Sequence, residues 1–91
     1  MESSAERLER IKTKYGTIKI HLAELLKEKE ISKYKLGRLA EMERTHINKY
    51  CNNDVTRFDY AVLVRICNVL DCTIDDILEY IPPEEQTAES K

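Results

Sequence analysis

The feature that most constrains the fold is a pair of short helical segments, separated by three residues, near the middle of the chain. The first, about Lys33–Ala40, follows Ser32, whose hydroxyl can accept an unpaired backbone N–H and so cap a helix. The second, about Arg44–Cys51, has Ile47 and Tyr50 at the three-residue spacing of one helix face. This pattern predicts two short helices joined by a tight turn.

Further helices are predicted on both sides of this pair. Three leucines form an apolar stripe over about residues 20–29, and Asp59 has the chemistry of a cap for a helix over about Tyr60–Leu70. A last helix begins with a capping-box pattern at Thr73 and is expected to end near residues 80–81, before two prolines. The expected fold class is all-α, with a compact five-helix domain.

The chain divides into three predicted regions. Residues 1–17 form an N-terminal extension, with a charged helix that Gly16 ends. Residues 17–22 alternate between apolar and polar side chains like a short strand, although they could also lead directly into the following helix. Residues 18–82 form the main domain. Residues 83–91 are acidic, lack apolar periodicity and are expected to be a disordered tail.

Charge is distributed unevenly along the chain. The formal net charge is −2, but residues 31–57 carry six Lys and Arg against three Asp and Glu. Residues 71–91 carry seven acidic residues and one lysine. A basic middle and an acidic end are compatible with a nucleic-acid-binding face in the middle of the chain.

Several classes of function are disfavoured. The chain has no Gly-rich phosphate loop, no nucleophile elbow and no His-Glu-x-x-His motif, so no enzyme is expected. The number of cysteines is odd and no Cys-x-x-Cys spacing occurs, so the cysteines are predicted to be reduced residues of the core. We also expect no metal, cofactor or small-molecule ligand. No apolar run approaches the ~20 residues of a membrane span, and no secretory signal opens the chain. A cytoplasmic protein is expected.

The central pair of helices has the geometry for reading DNA. A helix fits the major groove, where base edges display a distinct donor and acceptor pattern, while the preceding helix lies across the phosphate backbone. Small polar and basic residues at the start of the first helix can bind a DNA phosphate, and Ser32 and Lys33 are residues of these types. The second helix offers polar residues around Ile47: Arg44, Thr45, His46, Asn48 and Lys49.

Two stretches carry a resemblance to a known family. They are LAELLKEKEISKYKL at residues 22–36 and LVRICNVLDCTIDDILEYIP at residues 63–82, with Ile47 and Asn52 between them. The chain resembles the lambda-repressor-like (Cro and cI type) helix-turn-helix regulators, and most closely their small bacterial branch. The resemblance covers residues 18–82, and its last stretch is the most specific.

The resemblance implies sequence-specific binding of double-stranded DNA by a transcriptional regulator, with the recognition helix at about residues 44–51. Positions matching Arg44, Thr45 and Lys49 contact bases in the family, and His46 and Asn48 lie nearby. Positions matching Ser32, Lys33 and Asn52 hold phosphates, and Arg57 could reach a flanking phosphate or the minor groove. A homodimer reading two half-sites about 34 Å apart is expected.

Three residues depart from the family pattern, which usually has Ala at position 37, Gly at 41 and Ser or Thr at 43. Here they are Gly37, Glu41 and Glu43. Glu41 places a side chain where the turn often needs a left-handed residue, and Glu43 is a poorer helix cap that brings negative charge near phosphate. Weaker or more salt-sensitive DNA binding is the resulting hypothesis. The alternative is a protein-interaction module on the same fold, an antitoxin or anti-repressor, that does not bind DNA directly.

Overall fold

The computed structural model describes residues 3–83. This part of the chain is mostly helical and adds one small two-stranded sheet. In chain order the elements are α1 (Ser4–Tyr15), β1 (Thr17–Ile20), α2 (Leu22–Lys29), α3 (Lys33–Ala40), α4 (Arg44–Cys51), α5 (Tyr60–Leu70), α6 (Ile74–Ile77) and β2 (Leu78–Ile81). Across the described range, no helix has both the length and the apolar character needed to cross a membrane.

Two compact units make up this structure. One consists of residues 20–79, and the other of residues 3–19 together with residues 80–83. The larger unit contains α2 to α6, the predicted five helices, and holds the hydrophobic core. The buried core residues are Ile20, Leu22, Leu25, Leu26, Leu36, Ala40, Met42, Ile47, Tyr50, Val62, Ile66, Leu70 and Ile77.

The predicted caps of α3 and α5 are confirmed. The Ser32 hydroxyl accepts the backbone N–H of Lys35 at 3.0 Å, and the Asp59 carboxylate accepts that of Ala61 at 2.9 Å. Both bonds satisfy a backbone donor that the helix itself leaves unpaired. These caps explain why the two helices begin where the sequence indicates.

Two long-range hydrogen bonds connect the elements around the central helix pair. The Arg65 Nε donates to the carbonyl oxygen of Ala40 at 2.7 Å, so a cation from α5 meets the carboxyl end of α3. The backbone N–H of Ile20 donates to the Asn53 side-chain oxygen at 2.8 Å. This second bond connects the turn after α4 to the start of the core. Asn53 itself has a left-handed backbone conformation, with a φ of 61°.

The predicted last helix is wrong in its length. It was expected to end near residues 80–81, but α6 ends at Ile77, and Leu78–Ile81 form β2, which pairs with β1. The capping interaction is present, since the Thr73 N–H donates to the Asp76 carboxylate at 3.0 Å. Backbone groups after Ile77 find partners in β1, a pairing that local periodicity does not report because β1 is distant in sequence. Of the two alternatives for residues 17–22, the structure has the strand, since Thr17–Ile20 form β1.

In the smaller unit, α1 is the charged helix that the sequence predicts. The Ser3 hydroxyl and the Glu6 carboxylate each accept the other residue's backbone N–H, at 3.2 and 3.0 Å. Gly16 ends the helix with a φ of 107°, which a side chain rarely permits. The Tyr80 hydroxyl donates to the carbonyl oxygen of Tyr15 at 2.6 Å.

The predicted tail lies outside the described residues from position 84 onward. The predicted domain boundaries stay predictions.

Candidate nucleic-acid interface

A tight turn joins α3 to α4 and sets their relative orientation. The last turn of α3 closes when the backbone N–H groups of Glu41 and Met42 both donate to the carbonyl oxygen of Gly37. Glu41 adopts the left-handed conformation (φ 57°, ψ 51°), at a cost of about 1–3 kcal/mol for a residue with a side chain. Met42 is buried and anchors the turn in the core. The side chain of Glu43 makes no capping hydrogen bond to α4.

The helix α4 has one buried face and one exposed face. Ile47 and Tyr50 are fully buried. Thr45 and Lys49, four residues apart, share a face that points away from them, and both are exposed. The predicted base-contacting residues therefore lie on one short helix whose opposite face packs in the core. Of these residues, four are exposed and Asn48 is partly buried; the exposed ones are Arg44, Thr45, His46 and Lys49.

His46 lies toward one flank of this face. Its ring packs edge-on against the ring of Tyr50, with centroids 5.5 Å apart. Tyr50 in turn packs against Phe58 at 6.2 Å. His46 is therefore positioned beside the buried anchor of α4, whereas Thr45 and Lys49 project directly outward.

Lys33 and Asn48 are in direct contact. The Lys33 ammonium donates to the Asn48 Oδ1 at 2.8 Å, and both residues are partly buried. From the sequence, Lys33 was predicted to contact phosphate and Asn48 to contact a base. The structure joins the two side chains across the gap between the start of α3 and the middle of α4.

The other predicted phosphate contacts lie at three separate places just outside the helices. Ser32 caps α3, and its hydroxyl keeps its own O–H as a donor. Asn52 follows α4, and its backbone N–H donates to the carbonyl oxygen of Asn48 at 2.9 Å. Arg57 lies in the loop between α4 and α5. All three of these side chains are exposed.

Two residues beside this surface are given no DNA contact by the sequence: Arg38, and Tyr34, which the sequence favours as a partly buried packing residue and not as a stacking platform. They stand four residues apart on α3 and help to line a groove of about 250 Å³ between α3 and α4. Tyr34 is 71% exposed. The four-residue spacing was the available signal, because it places both on one face of the helix. The groove is lined by Lys33, Tyr34, Gly37, Arg38, Met42, Arg44 and Ile47, with three cations and no carboxylate.

The buried Tyr50 hydroxyl makes no hydrogen bond of standard geometry within residues 3–83, although the Asp59 backbone N–H lies close enough to act on it. Burial raises the pKa of Tyr50, an effect that the Asp59 backbone N–H opposes and the Asp59 carboxylate reinforces. The three cysteines are unpaired. Burial raises the pKa of the Cys72 thiol to about 11, and neighbouring Cys67 and Asp76 add to this effect. In the described part of the chain, no group of His, Cys, Asp or Glu side chains is arranged to hold a metal ion.

Comparisons with known proteins agree with this geometry. A model of the Cro/C1-type HTH DNA-binding domain matches residues 21–83. Among solved structures, the crystal structure of the transcriptional regulator VanUg (Form II) is similar, with 25% sequence identity and a TM-score of 0.57. That match covers 71% of this chain and 88% of the VanUg chain. Comparison with curated protein sequences found no match. The region matched by the HTH model includes every residue of the candidate interface.

Proposed function

The chain belongs to the Cro/C1-type HTH DNA-binding domain family, and we propose that it regulates transcription by recognising a specific double-stranded DNA sequence with α4 in the major groove. The exposed face of α4 carries this proposal. Thr45 and Lys49 project from a helix whose opposite face, at Ile47 and Tyr50, is locked in the core. A helix held in this way can enter the groove without losing its own packing.

The residues of α4 have the hydrogen-bonding chemistry for base edges. Arginine and lysine donate to guanine, the asparagine amide can donate and accept, and the threonine methyl can contact the methyl group of thymine. We assign base contact to Arg44, Thr45, His46, Asn48 and Lys49. Residues around α3 and after α4 would hold the phosphate backbone and set the register: Ser32, Lys33, Asn52 and Arg57.

A homodimer would provide the required length of recognition. One helix reads only a few base pairs, and two copies related by a twofold axis would read half-sites about 34 Å apart. Light scattering of the protein on its DNA site tests this assembly, and a mass of one chain per site would contradict it. Because a bacterial regulator of this kind would meet its DNA in the cytoplasm, a cytoplasmic location is part of this proposal.

Selection from a genomic DNA library tests the proposed function. The unmodified protein is compared with the Arg44→Ala/Lys49→Ala double variant at two salt concentrations. A Lys27→Ala/Lys29→Ala variant is the matched control, because it removes the same charge from exposed positions on α2. We expect the unmodified protein and the control to enrich the same motif, and the Arg44/Lys49 variant to lose it.

Two exposed acidic residues favour the second candidate function. Glu41 and Glu43 stand directly before α4, where a phosphate backbone would approach. A protein-interaction module, such as an antitoxin or anti-repressor, would tolerate negative charge at this position. If the protein enriches no motif even at low salt, where phosphate attraction is strongest, DNA recognition is contradicted and this second function replaces it.

A further inference from the structure

The hydrogen bond between Lys33 and Asn48 restricts what Asn48 can offer to DNA. Lys33 is the first residue of α3, and its ammonium reaches across to α4 at 2.8 Å from the Asn48 Oδ1. Both side chains are partly buried between the helices. The bond therefore forms within the protein, at a position where water competes less than at an open surface.

The chemistry of lysine decides which way the Asn48 amide points. A lysine ammonium has three donors and no acceptor, so only the oxygen of the amide can face it. The Nδ2 amino group of Asn48 must then point away from Lys33. Free asparagine can turn either end toward a partner, but Asn48 is held with its donor end outward.

We propose that Lys33 is a positioning residue that makes Asn48 a hydrogen-bond donor, so that the protein selects guanine over adenine at the base that Asn48 faces. This inference rests on the proposed function, because it requires α4 to lie in the major groove. Guanine presents two acceptors there, O6 and N7. The Nδ2 group can donate to either of them.

Adenine is disfavoured at the same position for an electrostatic reason. Asparagine reads adenine by accepting from the N6 amino group and donating to N7. In this protein the accepting oxygen of Asn48 already binds an ammonium. A second donor arriving at that oxygen would meet the positive charge of Lys33 at close range.

Selection of random duplexes tests the assignment. Lys33→Met keeps the length of the side chain but removes its charge and donors, and Lys33→Arg keeps both. Lys35→Met is the matched control, since it removes an exposed lysine two residues further along α3. Asn48→Ala identifies the base position concerned. Thermal unfolding of each variant verifies that it is folded.

One base position should respond to both partners. Asn48→Ala should lose the guanine preference at that position, and Lys33→Met should gain adenine there, with the guanine-to-adenine ratio falling roughly tenfold. Lys33→Arg should retain the preference. Lys35→Met should weaken overall affinity without changing the motif.

Three results would overturn the inference while leaving sequence-specific binding intact. Lys33→Met could enrich the unchanged motif with uniformly lower affinity, which would make Lys33 a phosphate contact only. Asn48→Ala could leave every base preference unchanged, so that the Nδ2 group serves a phosphate oxygen. The NMR signals of the Asn48 side-chain amide, recorded without DNA, could fail to shift on Lys33→Met, which would contradict the hydrogen bond itself. Absence of any enriched motif for the unmodified protein would instead contradict the proposed function.

Discussion

A methyl group added at Gly37 would lie 2.9 Å from the carbonyl oxygen of Met42, closer than a side-chain carbon normally approaches backbone. It would also lie 3.3 Å from the Ile47 Cδ1. Glycine inside a helix normally costs about 1 kcal/mol relative to alanine. At this position it lets the turn and α4 pack tightly on α3, and so it sets the spacing of the two helices that form the candidate interface.

Gly37→Ala should therefore destabilise the protein despite its better helix propensity. The backbone at Met42 must shift to admit the methyl group, and overpacking of this kind costs about 1–3 kcal/mol. We expect a net loss of roughly 1–2 kcal/mol in the free energy of unfolding, measured by urea denaturation. Lys35→Ala, at an exposed position of the same helix, should change it by less than about 0.5 kcal/mol. A more stable Gly37→Ala variant would contradict the close packing.

Glu41→Gly should stabilise the fold. Glu41 holds a left-handed conformation that glycine adopts without steric cost. The expected gain in the free energy of unfolding is about 1 kcal/mol. Glu41→Gln keeps the side chain and its strain, and so should leave the free energy of unfolding nearly unchanged. Equal stabilisation by both substitutions would show that charge, and not backbone conformation, is responsible.

Glu41→Gln should instead strengthen DNA binding. Removing a negative charge from the turn before α4 should raise affinity up to about fivefold at low salt, which corresponds to ~1 kcal/mol. Salt screening should reduce the gain. Glu30→Gln is the matched control, because Glu30 has the same left-handed conformation at the end of α2. The role of Glu41 is contradicted if titration by fluorescence anisotropy gives equal affinities for the two variants.

Tyr50→Phe should not weaken the fold. The ring packs in the core, but the buried hydroxyl makes no hydrogen bond of standard geometry in the described structure. Removing an unsatisfied buried group should leave the free energy of unfolding unchanged or raise it by up to about 1 kcal/mol. Tyr50→Ala should cost about 3–5 kcal/mol, since it also removes the ring. A substantial loss in Tyr50→Phe would reveal a partner for the hydroxyl.

Stability should decline between pH 9 and pH 11 because of Cys72. Its pKa is raised from 9.0 to about 11 in the folded protein, so the fold favours the neutral thiol. The corresponding stability is fully present below pH 9 and is lost as the pH rises toward 11. Cys72→Ala should flatten the fall in the free energy of unfolding over this range. An identical pH profile for both proteins would contradict the raised pKa.

Local chemistry allowed much of the fold to be predicted. The capping residues Ser32 and Asp59 act on backbone groups within three positions, so the starts of α3 and α5 are legible in the sequence. The three-residue gap before Arg44 likewise predicts the turn. The spacing of Ile47 and Tyr50 is enough to identify the buried face of α4, and with it the exposed face.

Interactions between distant segments account for what the sequence did not reveal. β2 forms because β1 supplies its partner, and an isolated pattern at Leu78–Ile81 reads equally well as the end of a helix. The bond from Lys33 to Asn48 depends on how α3 and α4 cross, as does the groove beside Arg38. The sequence pattern of a single helix does not determine how two helices cross.

Amide chemical shifts of the isotope-labelled protein, titrated with the duplex that it selects, test the central claim most directly. If α4 enters the major groove, the largest shifts should fall on Thr45, Asn48 and Lys49, with further shifts at Ser32. Buried Ile66 on α5 should shift little. Shifts confined to α5, with α4 unaffected, would contradict the assignment of α4 as the DNA-reading helix.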